Sequence, residues 1–220
     1  MIKVSAIIVA AGSSQRMGFD KLAASLRGKP VLARTLDIFL ACDLVTEIIL
    51  VAPPERMTLL DETTFTKPVR RTDGGAERHL SVARGLAAVS PDAEFIAIHD
   101  AARPLVSQAD ILATIAAAHE HRAASLARRV TETLKRSDKS DFTTEAVTRK
   151  DLWFMETPQI FQANLIHAAY KHILANEILV TDEASAIEAY GQKVKLIPST
   201  SPNPKITTPA DLETLNSQET

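Results

Sequence analysis

The chain has 220 residues, of which 45% are hydrophobic and 24% charged, and its formal net charge is −2 at pH 7. This composition is typical of a globular protein, and the near-neutral charge excludes a basic surface that would bind nucleic acid non-specifically. The apolar runs are well short of the ~20 residues that span a bilayer, and the N-terminus lacks signal-peptide features. A single cysteine, Cys42, excludes an intrachain disulfide. We therefore expect a cytoplasmic protein with no membrane or nucleic-acid partner, and Cys42 as a partly buried helix residue.

Strand-like and helical patterns alternate along the first half of the chain. Apolar, β-branched runs predict strands over residues 4–10, 47–52, 67–71 and 94–99. Amphipathic patterns between them predict helices over residues 31–41, 55–61, 77–89 and 107–121. Because short apolar strands that alternate with helices are typical of α/β proteins, we predict a Rossmann-like, mostly parallel sheet flanked by helices.

A polar segment interrupts this alternation in the second half. Two strand-like stretches, residues 130–136 and 142–149, flank the turn sequence SDKSD and predict a protruding β-hairpin arm. Since an isolated hairpin is marginally stable in water, we expect the arm at about 130–150 to pack against a partner subunit. Helices follow near 163–175 and 182–190, then a strand over 193–198 and a helix that begins near Thr208. We predict one domain over residues 1–220.

The segment AAGSSQRMGFDK, residues 10–21, follows the first predicted strand and has the small residues of a phosphate-binding loop. Five residues separate Gly12 from Gly18, one more than the nucleoside-triphosphate P-loop allows. Ser14 stands where the dinucleotide fingerprint needs glycine. The loop therefore fits neither template, but Arg16 and Lys21 are candidates to meet an anion held by backbone N–H groups.

Two further motifs, DGGAER and HDAARP, follow the third and fourth predicted strands. Because ligands bind beyond the carboxyl ends of the strands in open α/β sheets, we expect the three motifs to share one site. A carboxylate at the end of a buried strand, such as Asp100, needs a metal, a cation or a ligand hydroxyl, and Arg103 offers a planar fork suited to phosphate. The alternative is a helix N-cap role for Asp100 and a structural ion pair between these two residues. His99 alternates onto the opposite face, where a core role is expected.

Two other chemistries are not indicated by the sequence. His119 and His121 are two positions apart on a predicted helix and point to different faces, so a zinc site is not expected. A Gly-x-Ser-x-Gly elbow for acyl transfer is absent. Lys205, between prolines in PNPKITTP, would by itself be interpreted as a surface lysine.

Seven motifs occur in order along the chain: AAGSSQRMG…K, GGAERHLSV, HDAARP, VTETLKR, R-KDLW…TPQIF, TDEA and NPKITTPADL. Together they resemble the 2-C-methyl-D-erythritol 4-phosphate cytidylyltransferases, over roughly residues 4–212. Single motifs such as AAG are shared among nucleotidyltransferases, whereas the ordered set is highly specific. The resemblance implies the nucleotidyltransferase type of α/β fold and transfer of CMP from CTP to the polyol phosphate, with release of pyrophosphate.

Site residues follow from the resemblance, position by position. It implies that Arg16, Lys21 and Lys205 are the catalytic cations on the reacting phosphates. It implies a CTP site formed by Ala10, Ala11, Gly12, Ser13, Ser14, Met17, Gly75 and Ser81, and an acceptor site formed by Asp100, Arg103, Thr133, Arg149 and Thr157. It also implies Mg²⁺ held mainly by the triphosphate, with Asp100 as a possible ligand. The hairpin arm is expected to form a homodimer, in which Thr133 and Arg103 serve the partner's site.

The chain departs from the family pattern at a few positions. Ser14 replaces a common glycine, and the spacing from Arg16 to Lys21 is shorter than in many members, so Lys21 must reach from a tighter loop. Ala76 stands where an acidic residue can follow the glycine pair, and Pro204 replaces an aliphatic residue before Lys205. None of these changes removes an expected catalytic group.

Two other functions are compatible with the sequence. The first is a cytidylyltransferase of the same build for another polyol phosphate, such as ribitol 5-phosphate, with the choice made around Thr133, Arg149 and Thr157. The second is a non-catalytic nucleotide-binding module, against which the retained cations and Asp100 argue.

Overall fold

A computed structural model describes residues 2–12 and 17–217 of the chain. The strands, in chain order, are β1 Val4–Val9, β2 Ser25–Leu26, β3 Lys29–Pro30, β4 Val45–Val51, β5 Val69–Thr72, β6 Phe95–Asp100, β7 Ala123–Arg129, β8 Leu134–Ser137, β9 Thr143–Val147, β10 Trp153–Gln162 and β11 Lys195–Pro198. The helices are α1 Val31–Leu40, α2 Arg78–Ala88, α3 Gln108–His121, α4 Ala163–Ala175, α5 Glu183–Ala189 and α6 Pro209–Ser217, with a 3-10 helix at Pro54–Leu60.

Within residues 2–12 and 17–217, the central sheet has seven strands in the order β11-β7-β10-β6-β1-β4-β5. Strand β1 pairs in parallel with β4 and β6, β4 with β5, and β11 with β7, whereas β10 is antiparallel to both of its neighbours. The prediction of a mostly parallel sheet flanked by helices is therefore confirmed.

Alternate residues of the buried strands divide the core between the two faces of the sheet. Ile8 and Ile48 belong to a cluster that includes side chains of α1 and α3. Ile7 and Ile49 belong to a second cluster with side chains of α2, α4 and α5. Because successive residues of a strand point to opposite faces, the apolar runs of β1 and β4 bury both faces, and the loops at the strand ends carry the polar groups.

Two central strands escaped the sequence prediction. Strand β7, of sequence AASLARR, is rich in small and charged residues that have little intrinsic preference for strands. Strand β10 contains Pro158, which argues against a central strand because proline cannot donate to the ladder. The register of β10 against β7 shifts between Met155 and Gln159, and Pro158 lies in this irregularity. The strand therefore accommodates its proline where the regular pairing is interrupted.

Other predicted elements differ from the structure in detail. The hairpin arm is confirmed as β8 paired with β9, and its first strand begins at Leu134 rather than at residue 130. The predicted helix 55–61 is the 3-10 helix. Cys42, expected within a helix and partly buried, lies beyond the end of α1 and is fully buried. Within the described residues, we find no helix with the length and apolar character needed to cross a bilayer.

Candidate active site

A cavity of about 350 Å³ opens at the carboxyl edge of the sheet, beside the ends of β1 and β6. In the sheet, Val9 of β1 pairs with Asp100 of β6, which brings the first and third sequence motifs together. The glycine motif that precedes α2 closes another side. The cavity collects many of the residues expected at the site, namely Ala10, Ala11, Gly12, Lys21, Gly75, Ser81, Asp100 and Lys205.

The glycine pair before α2 packs directly against the loop after β1. A Cβ added to Gly74 would lie 2.2 Å from the Cβ of Ala11, and one added to Gly75 would lie 2.5 Å from the Cβ of Leu80. A side chain at Gly74 would therefore push the two loops apart, and one at Gly75 would collide with the start of α2. The amide of Gly75 donates to the Ser81 hydroxyl at 3.0 Å, which ties the pair to the first turns of α2. Close approach explains why this wall of the cavity uses glycine.

Among the described residues, three cations surround the carboxylate of Asp100. Lys205 Nζ lies 2.8 Å from Oδ2, Arg78 Nη2 lies 3.1 Å from Oδ1, and Arg103 Nε lies 3.7 Å from Oδ2. Burial alone would raise the pKa of Asp100, but Arg78, Lys205 and Arg103 hold this pKa below its ordinary value. The carboxylate is therefore ionised at neutral pH. The ion pair between Asp100 and Arg103, considered above as an alternative, is present as one contact of this larger charge cluster.

Arg78, in the first turn of α2, is itself fixed by a fully buried carboxylate. Its guanidinium donates to Glu183 Oε1 at 2.6 Å and to Glu183 Oε2 at 3.0 Å, and the Tyr170 hydroxyl donates to the same carboxylate at 3.1 Å. Burial lowers the pKa of Arg78, but Glu183 and Asp100 outweigh it and raise this pKa. Arg78 is thus a permanent cation in the wall of the cavity, with little freedom to move.

The segment that carries Lys205 is anchored on both sides of that residue. Asn203 donates to the carbonyl of Thr157 at 2.9 Å, and its own carbonyl accepts from Arg103 Nη1 at 2.7 Å. The amide of Ile206 donates to the carbonyl of Ala102 at 2.9 Å. Arg103 therefore uses its guanidinium partly to hold this segment, and the segment in turn directs Lys205 toward Asp100.

The loop after β1 is held from behind by Arg56. This buried side chain of the 3-10 helix donates to the carbonyls of Ala10 and Gly12 and to both carboxylate oxygens of Asp20. Lys21, the next residue, donates to the carbonyl of Ile206 at 2.9 Å. The short reach expected for Lys21 is therefore sufficient to bring its ammonium group to the segment that carries Lys205.

A second, larger cavity of about 880 Å³ adjoins the first. Its lining includes Arg103, Arg128, Arg129 and Lys205, with Glu156 as the buried carboxylate among them. Arg128 lies over the ring of Phe154 at 4.1 Å and Arg129 over the ring of Trp153 at 4.4 Å, which fixes both cations against β10. Lys205 lines both cavities, so it stands where ligands in the two would meet.

Some expected site residues lie away from the first cavity. The Thr157 hydroxyl is buried, accepts from the amide of Asp100 at 3.1 Å and contacts His99 Nδ1 at 3.1 Å, so it supports Asp100 from behind. Met17 is buried in the core. Thr133 and Arg149 are exposed on the arm, where Arg149 donates to the carbonyl of Thr131. His99 is in the core, as predicted. The remaining expected residues, Ser13, Ser14 and Arg16, lie outside the described part of the chain.

Three residues of the site were missed by sequence reasoning. Arg78 and Glu183 stand within the motifs GGAERHLSV and TDEA, and the charged positions of those motifs were the signal that could have found them. Arg56 lies outside every motif. Its partners are far away in the sequence, and we find no local signal for it.

The residues of the first cavity provide few ligands for a metal ion. Among the residues described, no group of three or more histidine, cysteine, aspartate or glutamate side chains is placed to hold one. Both oxygens of Asp100 already accept from cations. Since Mg²⁺ prefers several oxygen ligands and retains waters or phosphate oxygens, this donor set fits an ion that arrives on a polyphosphate better than one held by protein side chains alone.

Comparison with known proteins gives one consistent result. Residues 4–217 match the 2-C-methyl-D-erythritol 4-phosphate cytidylyltransferase family. The enzyme of that name from Caldanaerobacter subterraneus subsp. tengcongensis is 39% identical over 218 residues, with 96% of each chain covered. Another from Pelotomaculum thermopropionicum is 37% identical, covering 96% of this chain and 92% of the relative.

Solved structures agree with the sequence comparisons. The crystal structure of 4-diphosphocytidyl-2C-methyl-D-erythritol synthase from Anaerococcus prevotii matches with a TM-score of 0.86 and 32% identity, covering 98% of this chain and 95% of that one. The cytidylyltransferase from Thermus thermophilus matches with a TM-score of 0.82 and 28% identity, covering 98% of each chain. The expected family is confirmed, and this chain belongs to the 2-C-methyl-D-erythritol 4-phosphate cytidylyltransferases, a family of nucleotidyltransferase enzymes.

Proposed function

We propose that this chain transfers CMP from CTP to 2-C-methyl-D-erythritol 4-phosphate, which gives 4-diphosphocytidyl-2-C-methyl-D-erythritol and pyrophosphate. The main support for the proposal is the position of Lys205. This residue lines both cavities and contacts Asp100 in the first. CTP occupies the first cavity, against the loop after β1 and the glycine pair. The acceptor occupies the second cavity, whose arginines suit a phosphate monoester.

The acceptor needs no general base. A phosphate monoester has a second pKa near ~6 and is largely dianionic at neutral pH. One of its oxygens attacks the α-phosphorus of CTP and forms the new P–O bond. The bond from the α-phosphorus to the oxygen that bridges to the β-phosphate breaks, and its electron pair leaves with pyrophosphate. Catalysis therefore consists of positioning two anions and stabilising the charge that develops between them.

The cations of the chain perform both tasks. Lys21 and Lys205 are brought to the same side of the cavity, because Lys21 donates to the carbonyl of the residue that follows Lys205. We assign both to the reacting phosphates, together with Arg16 from the loop outside the described residues. Arg78 and Arg103 hold Asp100 in place. Asp100 then provides an ionised acceptor for a hydroxyl of the polyol.

Mg²⁺ is part of this proposal. It would be held mainly by the triphosphate of CTP, with Asp100 as the protein ligand in reach, and would neutralise charge on the leaving pyrophosphate. Few carboxylates surround the first cavity among the residues described. This favours Mg²⁺ that binds together with CTP over Mg²⁺ that is bound by the protein alone.

We propose further that two copies of the chain form a homodimer through the arm, residues 130–150. Thr133 and Arg149 are exposed on the arm, and neither is among the described residues that line the two cavities of their own chain. Phe142, near the tip of the arm, is 72% exposed. A hairpin with little core needs a surface to pack on, and a partner's second cavity would bring Thr133 and Arg149 to the acceptor. Arg103, which was expected to serve the partner's site with Thr133, instead lies 3.7 Å from Asp100 of its own chain and lines that chain's second cavity.

The test is release of pyrophosphate from CTP in the presence of Mg²⁺, with 2-C-methyl-D-erythritol 4-phosphate, ribitol 5-phosphate or no acceptor. Rapid release with the first acceptor alone supports the proposal. Preference for ribitol 5-phosphate would assign the chain to another polyol phosphate. CTP binding without release under any condition would instead identify a nucleotide-binding module.

A further inference from the structure

Arg56 makes several hydrogen bonds to the loop after β1. It is not among the described residues that line either cavity. Its side chain is 8% exposed, and its three nitrogens bond to acceptors from two separate parts of the chain. Nη1 and Nη2 donate to the carbonyls of Ala10 and Gly12, while Nε and Nη2 donate to Asp20 at 2.9 and 3.0 Å. The guanidinium therefore joins residues that precede and follow positions 13–16 in the sequence.

These contacts fix the direction of a peptide group in the cavity wall. The carbonyl of Ala10 and the amide of Ala11 belong to one planar, trans peptide unit, so they point in opposite directions. With the carbonyl turned to Arg56, the N–H of Ala11 points away from the guanidinium. Ala11 lines the first cavity, and none of the described residues accepts a hydrogen bond from its amide. An N–H held in this way is suited to an anionic oxygen.

The same guanidinium also fixes the position of the backbone next to Lys21. Asp20 is held by Arg56 through both carboxylate oxygens, and its Oδ1 also accepts from the amide of Leu22 at 3.0 Å. Lys21 lies between these two anchored residues. A planar group with several donors can hold two carbonyls and a carboxylate at once, whereas an ammonium cannot match this geometry.

We propose that Arg56 is a positioning residue for CTP, acting through the Ala11 amide and through Lys21, and that Asp20 is its partner. The inference rests on the proposed function, because it assigns the first cavity to CTP. Arg56 touches no substrate in this proposal. Its removal should weaken CTP binding and lower turnover, and should leave the affinity for the polyol phosphate unchanged.

The experiment compares Arg56→Ala, Arg56→Lys and Asp20→Asn with the unaltered chain. Arg34→Ala is the matched control, since Arg34 also donates to two carbonyls, those of Leu26 and Arg27, which do not line the cavity. The measurements are kcat, KM for each substrate, the dissociation constant of CTP by calorimetry, and the melting temperature.

Arg56→Ala is expected to raise KM and Kd for CTP by roughly 10-fold or more, the scale of a misplaced binding group. KM for the polyol phosphate should stay within about 2-fold of the value for the unaltered chain, because a change of this size is too small to indicate lost positioning. Arg56→Lys and Asp20→Asn should show smaller increases in the same direction, and Arg34→Ala should leave CTP affinity unchanged.

Two results would overturn the inference. One is unchanged CTP affinity in folded Arg56→Ala, and the other is an equal effect on both substrates that Arg34→Ala reproduces. If the unaltered chain releases no pyrophosphate, the proposed function fails by itself, and calorimetry of CTP binding still decides the role of Arg56.

Discussion

Lys205 Nζ lies 2.8 Å from Asp100 Oδ2, and the other oxygen of that carboxylate accepts from Arg78 at 3.1 Å. Lys205 comes from the segment before α6 and Asp100 from the end of β6, so this contact connects the last part of the chain to the central sheet. It also places an ammonium group between the two cavities. The proposed transfer depends on that placement.

Removal of either lysine should mainly impair turnover. Lys205→Ala and Lys21→Ala are each expected to lower kcat by at least ~10²-fold, the scale for losing one preorganised charge stabiliser. Initial rates of pyrophosphate release at saturating substrates provide the measurement. Lys171→Ala, which removes an exposed lysine on α4, is the control. Near-normal kcat in a folded Lys205→Ala variant would remove that lysine from the mechanism.

Glu183→Gln should destabilise the fold as well as the site. Glu183 is fully buried and holds Arg78 through two hydrogen bonds, so the substitution leaves a partly buried guanidinium with less compensation. We expect the free energy of unfolding to fall by about 2 kcal/mol, because Asp100 still pairs with Arg78. Urea unfolding measures this change. The exposed pair of Lys3 and Asp92 supplies the control, and Asp92→Asn should have almost no effect. Equal stability of the two variants would contradict the role given to Glu183.

His99 should make stability depend on pH. Burial lowers the pKa of His99 from 6.5 to about 4, so the unfolded chain binds a proton in this interval that the folded chain does not. Stability is then greatest above pH 6.5 and falls as pH decreases toward 4, by up to about 3 kcal/mol.

The pKa of Asp100 is also lowered in the folded chain, but its contribution to stability is lost only below about pH 3.8. This lies outside the interval in which His99 acts. Urea unfolding between pH 7 and pH 4 provides the measurement for His99. His99→Gln should remove most of this slope and leave the part due to His167, whose pKa is also lowered by burial. His121→Gln, which replaces an exposed histidine, should preserve all of it. An undiminished slope in His99→Gln would assign it to other groups.

Subunit mixing tests the homodimer. If Thr133 serves the partner's site, Lys205→Ala and Thr133→Ala should each be impaired alone but form one intact site per mixed dimer. Random exchange in a two-fold dimer should then restore about a quarter of the unaltered activity. The measurement is pyrophosphate release after the two variants are unfolded together and refolded. Activity that stays at the level of the separate variants would place Thr133 outside the partner's site.

The sequence contained enough information to predict the parallel part of the sheet and its ligand-binding edge. The runs of β1, β4 and β6 are apolar on both faces, and the motifs after β1, β5 and β6 converge because parallel strands end together. Strand β10 was not predicted, since Pro158 contradicts local strand rules and only the register shift in the folded sheet accommodates it.

The charge partners in the site were harder to predict. Arg78 and Glu183 are 105 residues apart, and Arg56 and Asp20 are 36 apart. Local sequence patterns indicate the periodicity of one element, but they do not predict which distant side chains that element will contact. Motif position could still have indicated Arg78, whereas Arg56 became recognisable only when the loop after β1 was seen against the 3-10 helix.

The most direct test of the account uses 2-C-methyl-D-erythritol 4-phosphate labelled with ¹⁸O in its phosphate, incubated with CTP, Mg²⁺ and the chain. Mass spectrometry then locates the label in the products. We expect a diphosphate-linked cytidine product that retains all of the acceptor's label, together with unlabelled pyrophosphate. Label in the pyrophosphate, or formation of free CMP without the linked product, would contradict attack by the acceptor phosphate on the α-phosphorus.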